Sequence, residues 1–187
     1  MIKHIFFDLD RTLWDFEKNS HTTLLQLIKD FKLIEKGIDT ADNFIKKYKI
    51  HNEELWELYR EDKIKKEELR GKRFQLALAE YDIDDSELAE QFGLAYIQQS
   101  PLKTTLFPYT HEVLLYLKKK YSLHIITNGF EEVQHIKLAH SDLKKYFDVI
   151  VTSEQVGVKK PNAKIFEFAL EQAKAKPDES IMIGDDF

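Results

Sequence analysis

A chain of 187 residues in which 43% are hydrophobic can bury one large core, or a core interrupted by a sizeable insertion. Its 33 acidic against 28 basic residues leave a net charge of −5, which argues against a nucleic-acid-binding surface but leaves small anionic substrates open, through a local cationic pocket or a bound metal. Cysteine is absent, which excludes disulfides and thiolate metal sites, and no apolar run approaches the roughly 18 residues of a membrane span.

The opening stretch MIKHIFFDLD meets acidic residues by position 8 and has neither a long apolar segment nor a small-residue cleavage site. No signal peptide is therefore expected, and a cytoplasmic location fits. Residues 4–7 form a short continuous apolar run, the pattern of a strand buried on both faces of a parallel sheet. From about residue 15 the pattern turns helical. Leu24, Leu27, Ile28 and Phe31 share one face, with Ser20 as the expected cap. Phe44, Ile45, Tyr48, Leu55, Trp56 and Tyr59 follow at helical spacing, then Phe74, Ala77, Leu78 and Tyr81, then Leu88, Phe92 and Tyr96. Residues 15–102 thus read as an all-helical block of about four helices.

Beyond Pro101 and Pro108 the pattern changes again. THEVLLYLKKKY is a helix with Val113, Leu114 and Leu117 inward, and LHIITNG is a strand stopped by Asn-Gly. EEVQHIKLAHSDLKKYF is helical and broken near Ser141; DVIVTSE is a strand; NAKIFEFALEQAKA turns Ile165, Phe166, Ala169 and Leu170 inward; SIMIGDD is a final strand. Strands alternating with helices predict an α/β fold, a Rossmann-like parallel sheet with helices on both faces. Residues 1–14 and 103–187 would form this core, with residues 15–102 inserted after its first strand.

In an open parallel sheet, ligands bind at the carboxyl ends of the strands. Those ends carry Asp8 and Asp10, Thr127 and Asn128, Ser153 and Glu154, and Asp185 and Asp186. Lys160 lies in the loop after the third strand, directly before Pro161. Two ionised carboxylates at one strand end repel, so either one is protonated or a cation sits between them. Carboxylates with oxygen-rich neighbours suit a hard cation such as Mg2+. Taken singly, each feature is ordinary: an Asp after a strand is a common turn or cap residue, Thr-Asn-Gly a turn, Lys-Lys-Pro a solvated loop. Four such features in order, each at a strand end, favour a catalytic reading of the set. His135 and His140, five apart, do not share a helical face in the i,i+4 zinc pattern, and no transition-metal site is assigned.

These same residues carry a family resemblance. DLDRTL resembles the DxDxT signature of the haloacid dehalogenase superfamily of phosphohydrolases. IITNG is similar to its second motif, GVKKPNAKIF to its third and IMIGDD to the start of its fourth. TLWDFEKNS, ITNGF and SEQVGVKKPNAKIFEFALEQA look closest to the branch of pyrimidine 5′-nucleotidases that hydrolyse ordinary and noncanonical nucleoside monophosphates. The resemblance implies a Mg2+-dependent phosphomonoesterase. Asp8 would attack phosphorus and form an aspartyl-phosphate. Asp10 would protonate the leaving alkoxide and then deprotonate the hydrolytic water, its main-chain carbonyl also binding Mg2+. Asp8 and Asp185 would complete the protein's share of the metal shell. Thr127 and the amide of Asn128 would hold phosphate oxygens, and Lys160, rather than its neighbour Lys159, would neutralise charge on Asp8 and the phosphoryl group. Carbon–halogen cleavage expels halide and needs no acid, so Asp10 favours phosphate chemistry over the family's dehalogenases. Arg11 would touch phosphate or leaving group, or else face solvent or cap.

The family's fourth motif usually continues to a further acidic residue, a strand and a helix, whereas this sequence stops at Phe187. The expectation is an incomplete chain, with Asp186 a partial substitute. The helical block matches the family's cap. Its polar interruptions, His51 and Asn52, could face substrate but read better as a wet stretch of helix. Arg70, Lys72 and Arg73 read as a solvated face pairing with Glu67 and Glu68. Of the aromatics Trp14, Phe16 and Trp56, Trp14 is expected to reach substrate and Trp56 to pack in the core. The expected partner is a small phosphorylated metabolite, a nucleoside monophosphate first, with neither nucleic acid nor membrane; the oligomeric state is not legible. Sugar-phosphate or phosphoglycolate phosphatases share the same site, a receiver-type phospho-switch would take its acceptor Asp from a later strand, and a binding module that has lost catalysis is the remaining alternative.

Overall fold

The computed structural model describes residues 1–185. Four parallel strands, β1 (His4–Phe7), β2 (Ser122–Thr127), β3 (Val149–Thr152) and β4 (Ser180–Ile183), form one sheet in the order β3-β2-β1-β4. Between β1 and β2 run α1 (Phe16–Asp30), α2 (Ala41–Arg60), α3 (Lys66–Ala79), α4 (Ser86–Gln99) and α5 (Thr110–Lys118). Helix α6 (Glu131–His140) connects β2 to β3, and α7 (Ser153–Val156) and α8 (Ala163–Ala173) connect β3 to β4. This is the parallel α/β architecture that the alternation of apolar runs predicts. The chain divides into two compact units: Met1–Asn19 with the residues from Pro101 onward, and Ser20–Ser100.

Side-chain alternation in the strands sorts the α/β unit into two layers. Ile5, Phe7, Leu123 and Ile125 pack on one side of the sheet with Leu114 of α5 and Leu138 of α6. Phe6, Ile126 and Val151 pack on the other with Ile165 and Ala169 of α8. A central strand covered on both sides can carry no polar alternation, which is why β1 reads as an unbroken apolar run. The register sets Phe7 beside Ile125 on one flank and Ile183 on the other, so β1, β2 and β4 end level and their following loops share one edge.

The helical unit has its own core around Phe74, stacked on Tyr48 at 5.0 Å and against Phe92 and Tyr96 at 5.3 and 5.4 Å. Three sequence expectations change here. Ser20 does not cap α1; the side chain of Asp15 accepts the Lys18 N–H at 3.0 Å and starts the helix at Phe16, ahead of the expected cap, leaving Ser20 buried as acceptor for the Tyr96 hydroxyl at 2.8 Å. Asn52 is not wet: it is buried, and its carbonyl oxygen accepts from Arg73 Nη1 at 3.0 Å and from the Tyr48 hydroxyl at 3.3 Å. Arg73 is correspondingly buried, its guanidinium 5.1 Å above the Tyr96 ring, because a buried cation needs an acceptor and a polarisable face. Lys72 keeps the expected i,i+4 pair with Glu68 at 2.9 Å, and His51 lies 3.2 Å from Glu80. Among the described residues no helix is long and apolar enough to cross a membrane.

One titratable pair lies inside the sheet. His124 of β2 is 1% exposed, packs on Phe6 at 4.7 Å and shares a 3.1 Å hydrogen bond with the His4 ring of β1. Burial, with the neighbouring His4 adding to it, pushes the His124 pKa down to about 4; Asp148 pulls it up and Lys118 down. A folded-state pKa below the ordinary value means full stability above about pH 6.5, lost as pH falls toward 4. The loss amounts to on the order of 3 kcal/mol. Urea unfolding at pH 7 and pH 4.5 should show this drop, and His124→Phe should remove that part of it; an unchanged pH dependence in the variant would show that His124 takes up its proton equally in the folded and unfolded states.

Candidate active site

The loop after β1 is folded tightly enough to aim its side chains. The main-chain N–H groups of Leu13 and Trp14 both donate to the Leu9 carbonyl, at 3.0 and 2.9 Å, and Arg11 adopts φ 62° at the apex. Asp8 is fixed from the other flank by its own N–H, which donates to the Ile183 carbonyl of β4 at 2.8 Å. Asp8 Oδ1 accepts from the Leu9 N–H at 2.8 Å and pairs with Lys160 Nζ at 3.0 Å. Burial pushes the Asp8 carboxyl above its ordinary range; Lys160 pulls it back, and the charge of Asp10 adds to the rise. Lys160 thus offsets only part of the cost of burying Asp8.

Asp10 turns toward α6. Its carboxylate accepts from Lys137 Nζ at 2.7 and 2.9 Å and from Gln134 Nε2 at 2.9 Å. Gln134 Nε2 also donates to Thr127 Oγ1 at 2.7 Å, linking the end of β1 to the end of β2. Neither Gln134 nor Lys137 is among the residues that the sequence singled out. Both are buried, and Lys137 Nζ sits 4.3 Å from the centroid of the Trp14 ring. Trp14 does not face substrate, contrary to expectation. It is fully buried, its indole N–H donates to the Lys103 carbonyl at 3.0 Å, and its face serves the lysine. Arg11 pairs with Glu17 at 3.1 Å.

Asn128 grips the loop that carries Lys160 at both ends of one residue. Its Oδ1 accepts the Lys160 N–H at 2.7 Å and its Nδ2 donates to the Lys160 carbonyl at 3.1 Å. Its side chain therefore aims Lys160, while the resemblance assigns the phosphate contact to its main-chain amide. Gly129 follows because the Gln134 amide lies on its Cα: a Cβ there would stand 2.3 Å from Gln134 Nε2. Ser153 and Glu154, also at a strand end, are structural. Ser153 Oγ donates to the Asn128 carbonyl at 3.4 Å, and Glu154 accepts the Glu131 N–H at 2.6 Å, capping α6.

Asp185 follows β4, one residue past Gly184, which lies beside Asp8: a Cβ on Gly184 would stand in ordinary van der Waals contact with Asp8 Cβ, at 3.5 Å. Asp186 lies outside the described residues. Among the described residues no three His, Cys, Asp or Glu side chains gather around one point. With the Asp10 carboxylate engaged by α6, the oxygen donors that the resemblance assigns to a cation are the carboxylates of Asp8 and Asp185 and the main-chain carbonyl of Asp10. That donor set fits Mg2+, which takes oxygen ligands and keeps several positions for water and phosphate.

Asn128→Ala should lower the unfolding free energy by about 1–3 kcal/mol, since it strips two bonds from the Lys160 main chain. A urea titration reads this directly; no change would show that the Lys160 loop is held by other contacts.

A sequence profile of haloacid dehalogenase-like hydrolases matches residues 2–187. The chain is 36% identical over 183 residues to the pyrimidine 5′-nucleotidase YjjG of Escherichia coli (strain K12), covering 97% of this chain and 76% of that protein. It is 32% identical over 194 residues to a glyceraldehyde 3-phosphate phosphatase of Methanothermobacter thermautotrophicus, covering 100% and 78%. The crystal structure of the HAD-hydrolase YfnB from Bacillus subtilis, bound to magnesium, superposes with a TM-score of 0.89 at 25% identity, over 99% of this chain and 80% of that one. Lys-paired Asp8, the Thr127 strand end and the parallel sheet that joins them are thus found in a chain that belongs to the haloacid dehalogenase-like hydrolases.

Proposed function

We propose that this hydrolase is a Mg2+-dependent phosphomonoesterase that works through an aspartyl-phosphate on Asp8 and acts on nucleoside 5′-monophosphates. The observation that carries the reading is the pairing of Asp8 with Lys160 next to a second carboxylate, Asp10, that is held separately by α6. The similarity to a pyrimidine 5′-nucleotidase supports the substrate class. The glyceraldehyde 3-phosphate phosphatase relative supports a second reading, a small sugar phosphate on the same site.

In the first step an Asp8 carboxylate oxygen attacks phosphorus, the ester P–O bond breaks, and the leaving alkoxide takes a proton from Asp10. In the second, Asp10 takes a proton from a water whose oxygen attacks the same phosphorus. The bond to Asp8 breaks, inorganic phosphate leaves, and Asp10 is again protonated. Lys160 neutralises charge on Asp8 and the phosphoryl oxygens, and the Thr127 hydroxyl and the Asn128 N–H bond those oxygens. Asp8, Asp185 and the Asp10 carbonyl would hold Mg2+, which when bound supplies the positive charge that brings two anions together. The helical unit, residues 20–100, would act as the cap that selects the leaving group.

Phosphate release should be measured across nucleoside monophosphates and sugar phosphates, with EDTA and with restored Mg2+. The expected pattern is highest turnover on nucleoside monophosphates, lost with EDTA and regained with Mg2+. Asp8→Asn should lower turnover by about 10³-fold or more. Turnover that persists in EDTA or in Asp8→Asn would overturn the mechanism, and a sugar phosphate as best substrate would overturn the nucleotide assignment alone.

A further inference from the structure

We infer that Gln134 and Lys137 of α6 are positioning residues for catalysis: together they anchor Oδ2 of Asp10, so that Oδ1, bonded by Lys137 alone, exchanges the proton, and they turn the Thr127 hydroxyl toward the substrate phosphate. This rests on the reading of Asp10 as the acid–base group and assigns how that group is aimed.

The geometry distinguishes the two oxygens of Asp10. Oδ2 accepts from both Gln134 Nε2 and Lys137 Nζ, each at 2.9 Å, whereas Oδ1 accepts from Lys137 alone at 2.7 Å. Oδ2 is the anchor. Oδ1 can leave one bond, carry a proton to the alkoxide and take one from water while the carboxyl stays in place. Lys137 suits this role because it has donors only and cannot compete for the proton. Its 5% exposure and the Trp14 face beneath it keep the ammonium from swinging into solvent.

The second consequence concerns Thr127. A hydroxyl has two lone pairs and one proton. Thr127 Oγ1 accepts from Gln134 Nε2 at 2.7 Å and from the Gly129 N–H at 3.1 Å. With both lone pairs used, its proton is left to donate, which is what an anionic phosphate oxygen requires. The carboxamide of Gln134 cannot be reversed without setting its carbonyl oxygen against the Asp10 carboxylate. Its Oε1 is buried without a partner among the described residues. Folding stability alone would not favour that arrangement, because an unpaired buried acceptor carries a desolvation cost. It is accounted for if the two donated bonds serve the site.

The test compares esters that differ in their need for an acid. With Mg2+ present, first-turnover alcohol release is measured from a nucleoside 5′-monophosphate and from p-nitrophenyl phosphate, whose phenolate leaves without protonation. Lys137→Met should slow release from the nucleotide by about 10²-fold and from the aryl ester by less than about threefold. Gln134→Leu, a second variant of similar volume, should shift the ratio in the same direction and also weaken inhibition by inorganic phosphate by about tenfold through Thr127. Equal losses on both esters, or no loss, in a folded variant would overturn the inference. Failure of the wild-type protein to release alcohol from either ester would instead overturn the phosphomonoesterase reading on which it stands.

Discussion

Two carboxylates at the end of one buried strand set the terms for the rest of the α/β unit. Asp8 and Asp10 repel, and Asp8 is pushed toward its neutral form by its surroundings, with Asp10 adding to the effect. The molecule answers with two lysines rather than one. Lys160 pairs with Asp8 at 3.0 Å and Lys137 with Asp10 at 2.7 Å, so each carboxylate has its own cation. The separation matters for chemistry. Under the proposed mechanism a single shared lysine would tie the carboxylates together, whereas separate partners would let one act as a nucleophile and the other handle protons.

The parallel sheet is what makes this division possible. Lys137 arrives from the helix after β2, Lys160 from the connection after β3 and Asp185 from the end of β4, while both aspartates belong to the turn after β1. Parallel strands with crossover helices bring four such chain segments to one edge without long loops. Register then holds them: the Asp8 N–H bonds to β4, and Gln134 bridges the β1 and β2 ends. Neighbouring residues are recruited to aim the lysines, since Trp14 gives Lys137 a face to lie on and Asn128 spends its amide on the main chain of Lys160.

The part of the site that sequence made legible is the part that sits at strand ends. Asp8, Asp10, Thr127 and Lys160 are local to short apolar runs with turn residues after them, so strand periodicity places them. Gln134 and Lys137 lie three apart on a short amphipathic helix, where polar residues ordinarily face water. Their partner, Asp10, is more than 120 positions away, and only the finished sheet turns that helical face inward. The same limitation explains Arg73 and Asn52. As a run of basic residues and a polar break they read as solvated, and their burial depends on each other and on Tyr96 from a different helix. Trp14 was placed in the right neighbourhood and given the wrong task, because proximity to a catalytic loop does not say which way a ring points. The cap role expected of Ser20 belongs to Asp15, a competing cap upstream that pattern alone does not rank.

Buried acceptors without partners give the last step. Gln134 Oε1 and Thr12 Oγ1 both lie buried and unpartnered among the described residues, the first on the carboxamide whose nitrogen donates to Asp10. A fold selected for stability alone would replace such groups by apolar ones of similar shape. For Gln134 the orphaned oxygen is the cost of committing its Nε2 to both Asp10 and Thr127. Gly129 adds to the cost, since it is kept small so that the Gln134 amide can cross it. The constraint is therefore mutual: the amide needs the glycine, Thr127 and Asp10 need the amide, and the lysines keep two like charges at the end of one strand from driving the arrangement apart.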